Sequence, residues 1–158
     1  MAQMDNLKTQ MGSGGLDVQC FGGGGMGREV DFCAMHDGDP LTYQIIGAAI
    51  DVSKGLGTGL LESVYQMCLH HELLRRGLTA QRHPLLPVVL KGQTLGKGFR
   101  PDVVVEKRVI VEVKAVPATL KAHEAQLLNY MRLSGIRTGL LINFHSFPFS
   151  KGITRFVI

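Results

Sequence analysis

Two apolar runs lying close together constrain the fold of this chain more than any other feature. Val103-Val104-Val105 and Val109-Ile110-Val111 are separated only by the polar Glu106-Lys107-Arg108, and the second run continues into Glu112-Val113-Lys114. Runs of β-branched residues without polar alternation read as central strands covered on both faces. Strands are expected from Phe99 to Val105 and from Val109 to Ala115, joined by a loop at 106–108. A three-residue loop places Asp102 opposite Glu112, with Cβ atoms about 4.5–5.5 Å apart. Side chains alternate along a strand, so Lys114 shares the face of Glu112 while Val113 points away. Two carboxylates and an ammonium therefore converge on covered strands, where idle charge is rare. The two like charges are unfavourable unless something offsets them, and a divalent cation would.

The rest of the domain reads as helices around these strands. Tyr43, Ile46, Ile50 and Leu56 fall near helical spacing. A second helix is expected over Leu60–Arg76, with Leu61, Val64, Cys68 and Leu69 as its apolar face and Gly77 as its stop. A strand over Thr79–Leu90 carries Pro84 and Pro87, which suit an edge or a bulge, and Lys91-Gly92-Gln93 follows as a turn. Pro117 breaks the chain. Thr119 is placed to cap a helix from Leu120 to Leu133, which Ser134-Gly135 ends. Thr138–Asn143 and Ile153–Ile158 are the last strands expected. A strand, helix and strand over 109–143 predict a right-handed parallel crossover. The whole is an α/β sandwich around a small mixed sheet.

At 158 residues the chain suits one domain with a core able to fold alone. Residues 1–40 are unlike the remainder. They are Gly-rich, with a run at Gly22–Gly25, and hold two basic and six acidic side chains, a net −4. Such a stretch cannot bury enough surface to offset its ordering entropy, and a disordered leader is expected there. The Gly run follows no strand and precedes no helix, so it is not a phosphate-cradling loop. The folded domain is expected over 41–158, with fifteen basic and seven acidic side chains, a net +8. That balance attracts a polyanion. No apolar stretch approaches the roughly 20 residues that span a bilayer, so no membrane partner is expected. The N-terminus has the features of neither a secretory signal nor a transit peptide. Cys20, Cys33 and Cys68 are widely spaced and form no CxxC pair, which fits a reducing, cytoplasmic setting better than a zinc ribbon or disulfide framework.

Hard oxygen ligands with no neighbouring cysteine favour Mg²⁺, with Mn²⁺ as a substitute. Such an ion beside a phosphodiester lowers the pKa of a bound water and neutralises charge at phosphorus. Lys114 is suited to orienting the attacking hydroxide or to stabilising transition-state charge. Glu62 stands near the start of its helix, where the dipole favours a carboxylate. Tyr65 lies three residues on, at a neighbouring position of the helix surface. His123, Gln126 and Tyr130 share one face of the last helix, and a Gln with a Tyr one turn later can hold a lysine or a phosphate oxygen. His70-His71-Glu72 is not a metal motif, because adjacent histidines on a helix diverge. No G-x-S-x-G, Cys/His pair or dinucleotide fingerprint is present.

Pro101-Asp102 followed by Glu112-Val113-Lys114 resembles the signature of the PD-(D/E)XK nucleases. Within that superfamily, Gly59-Leu60-Leu61-Glu62-Ser63-Val64-Tyr65 resembles the defining motif of the GxxExxY proteins. His123–Tyr130 and Gly139–Phe144 also fit, so the resemblance covers residues 41–158. It implies a restriction-endonuclease-like three-layer sandwich, a small mixed sheet flanked by helices. It also implies Mg²⁺-dependent phosphodiester cleavage in DNA or RNA. By the same resemblance Asp102 and Glu112 would ligate the metal, with Glu62 doing so directly or through water. Lys114 would be catalytic, and Gln126 and Tyr130 would support the site or the phosphate. The alternative is a nucleic-acid-binding module that keeps the fold without the chemistry; retention of Asp102, Glu112 and Lys114 argues against it. About 118 residues leave little room for a sequence-reading domain. Specificity would then need a homodimer or a partner protein.

Overall fold

The computed structural model describes residues 39–158, and the leader expected over residues 1–40 lies almost wholly outside them. Helix α1 (Pro40–Leu56) opens with Asp39 as its N-cap, whose carboxylate accepts from Leu41 N–H at 3.1 Å and Thr42 Oγ1 at 3.0 Å. Helix α2 is Glu62–Arg75 and α3 is Lys121–Ser134. The strands are β1 (Ala80–Arg82), β2 (Leu86–Leu90), β3 (Gln93–Phe99), β4 (Val103–Val105), β5 (Val109–Lys114), β6 (Thr138–Asn143) and β7 (Ile153–Val157). Five of them form one sheet in the order β1-β4-β5-β6-β7. The β5–β6 pair is parallel and every other pair is antiparallel, so the sheet is mixed. Helix α3 makes the crossover between the parallel strands, as expected from the sequence.

The sheet is covered on both faces, which gives three layers. Val103, Val105, Val109, Val111 and Val113 turn one way and pack with α1 and α2. Val104, Ile110 and Leu141 turn the other way, onto Leu127 and Met131 of α3. The strict alternation of the pleat thus divides one apolar run between two cores. Among the described residues, no helix is long and apolar enough to cross a membrane.

Four expectations change. The strand expected over Thr79–Leu90 is two strands in different sheets. His83, with φ 46°, and Pro84 turn the chain out of the main sheet after Arg82. The chain then forms a separate hairpin of β2 and β3 before returning at β4. Gln93–Phe99 was hidden from sequence reading because Gly96 and Gly98 weaken its strand signal, and Phe99 ends β3 rather than beginning β4. The helix faces also rotate. In α1 the buried set is Leu41, Ile45, Ile46, Ala48, Ala49 and Val52, while Tyr43 is 55% exposed. In α2 it is Tyr65, Gln66, Leu69 and Leu73, while Leu61 is 75% exposed and precedes the helix. Finally, Thr119 does not cap α3. Leu120 is the N-cap, and its N–H donates to Nδ1 of His123 at 3.2 Å.

Gly139 of β6 sits directly beneath α3. A Cβ there would lie 2.6 Å from Met131 Sδ and 3.0 Å from Leu127 Cδ1, both buried. Gly139→Ala should therefore lower stability in urea denaturation by about 1–3 kcal/mol. Gly55→Ala, where an added Cβ meets nothing within 4 Å, should be neutral or stabilising.

Candidate active site

The β4–β5 hairpin has the register that the loop length predicts. Val103 pairs with Val111, Val104 with Ile110 and Val105 with Val109. Glu106 and Lys107 take positive φ at the turn, and Arg108 N–H donates to Val105 C=O at 2.9 Å. Asp102 lies one residue beyond the last pair, next in register opposite Glu112. Its backbone carbonyl accepts from His83 N–H at 2.9 Å. Its Oδ2 accepts from Val113 N–H, also at 2.9 Å. The preceding Pro101 is buried and has no N–H to continue a ladder. The Asp102 carboxylate is thus tied to the strand that carries Glu112 and Lys114.

Glu112 is 1% exposed, inside a sheet covered on both faces. Its Oε2 lies 3.4 Å from Lys114 Nζ, and among the described residues its Oε1 has no hydrogen-bond partner. Lys114 Nζ also faces Glu62 Oε1 at 3.6 Å and Asp102 Oδ2 at 4.0 Å. Three carboxylates therefore surround one ammonium. Burial, then the neighbouring Asp102, pushes the Glu112 carboxyl up to about 8, although Lys114 pulls it down. Burial disfavours the Lys114 ammonium, but Glu112, Asp102 and Glu62 more than offset that, and its pKa is raised.

Glu62 reaches this group from the other layer. It is the first residue of α2, where the helix dipole favours a carboxylate. The loop before it is held by Tyr65, which is fully buried. Tyr65 Oη donates to Gly57 C=O at 2.8 Å and accepts from Leu60 N–H at 3.2 Å. Its ring stacks on Phe144 at 4.6 Å. Gly59 has φ 95°, a conformation that side-chain-bearing residues rarely adopt. The spacing of Gly59, Glu62 and Tyr65 is therefore a loop closure: the glycine permits the bend, and the tyrosine locks it from one turn inside the helix.

Two supporting residues escape a sequence reading. Gln66 is buried and donates from Nε2 to Glu62 Oε1 at 3.4 Å. Its position four residues after Glu62 is the signal that could have revealed it. Asn143 is buried at the end of β6. Its Oδ1 accepts from Val116 N–H at 3.1 Å and its Nδ2 donates to Val116 C=O at 2.8 Å. Phe144 N–H donates to Lys114 C=O at 2.7 Å, so the chain leaving β5 is pinned beside the lysine. A polar residue closing the apolar run Leu140-Leu141-Ile142 was its signal.

The last helix behaves differently. Gln126 Nε2 donates to Tyr130 Oη at 2.8 Å, and the Tyr130 ring stacks on Phe99 at 4.9 Å. Neither residue hydrogen-bonds Asp102, Glu112 or Lys114, so Gln126 and Tyr130 pair with each other rather than with the acids. The discounted His70-His71-Glu72 segment has structural partners. His70 Nε2 lies 3.1 Å from Ala80 C=O, and Glu72 binds Arg75 and Arg76. The hydrogen bonds from Arg75 and Arg76 hold the Glu72 carboxyl down at about 2.

The donor set fits a hard divalent ion. The carboxylates outnumber the ammonium, and Glu112 Oε1 is a buried acceptor without a donor. Among the described residues, no group of three His, Cys, Asp or Glu side chains is placed to hold a metal ion by itself. An ion bound by the hairpin acids would thus complete its shell with water and phosphate oxygens, which Mg²⁺ favours.

The raised Glu112 carboxyl gives a testable sign. The unfolded chain releases this proton near 4.5, whereas the folded metal-free protein holds it to about 8. Between those values the folded state binds more protons, so stability should fall as pH rises. The slope should approach about 1.4 kcal/mol per pH unit. Urea denaturation of metal-free protein across this range checks it, and Glu112→Gln should flatten the slope.

Comparison with known proteins places the chain. No curated protein and no solved structure matches it. Residues 39–156, nearly all of the described domain, match the sequence profile of the PD-(D/E)XK nuclease superfamily. The covered mixed sheet and the acids of its central hairpin agree with that match: the chain belongs to the PD-(D/E)XK nuclease superfamily and has its restriction-endonuclease-like fold.

Proposed function

We propose that this protein hydrolyses phosphodiester bonds in nucleic acid with the help of a divalent metal, Mg²⁺ or Mn²⁺. The observation that carries this reading is the buried Glu112 carboxylate beside Asp102 and Lys114, with one oxygen left without a donor. Superfamily membership supplies the reaction class. Asp102 and Glu112 would hold the ion, with Glu62 contributing from α2. When bound, a divalent ion supplies Lewis acidity at the phosphoryl oxygens and a more acidic water.

The chain's own residues do the rest. Lys114, held as a cation among carboxylates, donates to the charge that develops on the phosphoryl oxygens. Glu62 restrains the lysine, and Tyr65 and Gln66 restrain Glu62. Gln126 and Tyr130 act at the edge of the site, where the amide and phenol can reach a phosphate oxygen once substrate separates them. The narrower likeness to GxxExxY proteins is supported by the loop that Gly59, Glu62 and Tyr65 build. A domain of this size gains specificity through a second copy or a partner protein.

Purified protein should cleave plasmid, single-stranded DNA or RNA with Mg²⁺ or Mn²⁺ and lose the activity in chelator. Lys114→Ala should cost about 10²–10³ in kcat, and Asp102→Ala should abolish turnover. Glu62→Gln should cost about 10–100-fold. Calorimetry should show Mn²⁺ binding that tightens as pH rises toward 8, because Glu112 must release its proton. Inactivity on all three substrates, or full activity in Asp102→Ala, would sink the proposal.

A further inference from the structure

The β2–β3 hairpin is an insertion between β1 and β4, and nothing in the proposed chemistry uses it. It forms its own two-stranded sheet. Its base is anchored: Leu86 packs against the core under α3, and the buried Phe99 stacks on Tyr130. Its outer part is free. Every residue from Val89 to Gly96 is exposed, on both faces of the ribbon. Lys91 and Gly92, with φ 50° and 78°, make the tight turn at its tip. The pairing slips between Leu86 and Pro87 and again between Val88 and Val89, which adds twist. Arg100 and Pro101 alone separate the end of β3 from Asp102.

Its composition selects a partner. From Gly77 to Pro101 the chain contains no acidic residue, while Arg82, Lys91, Lys97 and Arg100 are basic. A polyanion meets no repulsion along this segment. Single-stranded nucleic acid is held by exposed aromatic stacking platforms. From Thr79 to Gly98 the ribbon and its approach carry no aromatic residue of the Phe, Tyr or Trp type, and Phe99 is buried against Tyr130. The exposed side chains near the tip are aliphatic instead, with Leu90 55% and Leu95 62% exposed. Aliphatic groups contact thymine methyls in a major groove. That groove, about 12 Å wide in B-form DNA, admits a two-stranded β-ribbon. The major groove of A-form RNA is too deep and narrow for side chains to read.

Resting on the nuclease reading above, we infer that the β2–β3 ribbon docks duplex DNA, entering its major groove and setting the phosphodiester backbone against the Asp102 hairpin. Binding can be measured without cleavage, so failure of this inference is separable from failure of the catalytic one. Full-length protein in chelator is titrated by fluorescence anisotropy against a labelled DNA duplex of about two helical turns. The same DNA as a single strand and an RNA duplex of the same length serve as competitors.

The DNA duplex should bind at least about tenfold tighter than either competitor. Lys91→Glu at the tip should weaken duplex binding about tenfold and flatten its salt dependence by about one to two in log–log slope. Lys54→Glu, an exposed charge reversal on α1 that changes net charge equally, should shift affinity less than about twofold. Leu95→Ser should weaken duplex binding by about threefold or more. Thermal denaturation of each variant checks that the fold is intact. The inference is overturned by equal effects of Lys91→Glu and Lys54→Glu. Equal affinity for single strands or RNA duplex overturns it too. So does a ribbon variant that changes sedimentation while leaving duplex affinity unchanged, since the ribbon would then pair copies of the chain.

Discussion

A carboxylate enclosed in a sheet covered on both faces is the constraint from which the other features follow. Burying Glu112 as an anion is costly unless positive charge and donors accompany it. Lys114 supplies the charge from two residues along the same strand, at 3.4 Å. Asp102 faces the pair from the position just before β4 and is itself fixed by Val113 N–H. Yet among the described residues one Glu112 oxygen has no donor, and three acids share a single ammonium. A fold with stability alone at stake would place valine there, as it does at the flanking positions of β5. The local charge imbalance is what the proposed divalent ion would offset.

Glu62 of α2 reaches this centre, whereas the Gln126–Tyr130 pair of α3 does not. The centre lies at the carboxyl end of β5, where the parallel pair with β6 ends and the chain departs toward α3. Asn143 and Phe144 hold that departure, and Phe144 also stacks on Tyr65. The aromatic pair thus links the end of β6 to the loop that presents Glu62. Through these contacts the spacing of Gly59, Glu62 and Tyr65 acquires a physical meaning. It is a bend, a carboxylate at a helix start, and an anchor one turn later. The ribbon, by contrast, rests on α3 through β2, while residues 89–96 around its tip are exposed.

Sequence reading succeeded where short-range rules suffice. A loop at 106–108 set the hairpin register, because pairing from a tight turn leaves no freedom to slip. Strand alternation then put Glu112 and Lys114 on one face. The parallel crossover followed from an apolar strand, a helix and another apolar strand in succession. It failed where neighbours outside the local window decide. The seam of α1 follows Ile45, Ala48, Ala49 and Val52 rather than Tyr43, because the elements packed on the helix, and not the spacing alone, decide which face is covered. Pro84 and Pro87 signalled irregularity, but not that the chain would leave the sheet, form a ribbon and return. Gln126 and Tyr130 share a face as the spacing predicts, while the stacking of Tyr130 on Phe99 depends on how α3 lies against the ribbon.

The amino-acid order by itself determined the chemistry available: two acids and a lysine at a hairpin spacing, an acid at a helix start, and a basic domain. These are properties of a few adjacent residues, and covalent geometry fixes them. The tertiary structure alone decided that Glu62 meets Lys114 across layers, that Glu112 is buried with one oxygen unmatched among the described residues, and that the tip of the β2–β3 ribbon is exposed. Each of those depends on contacts between segments distant in the chain. Their outcome is set by packing two cores against one sheet, which no local pattern encodes.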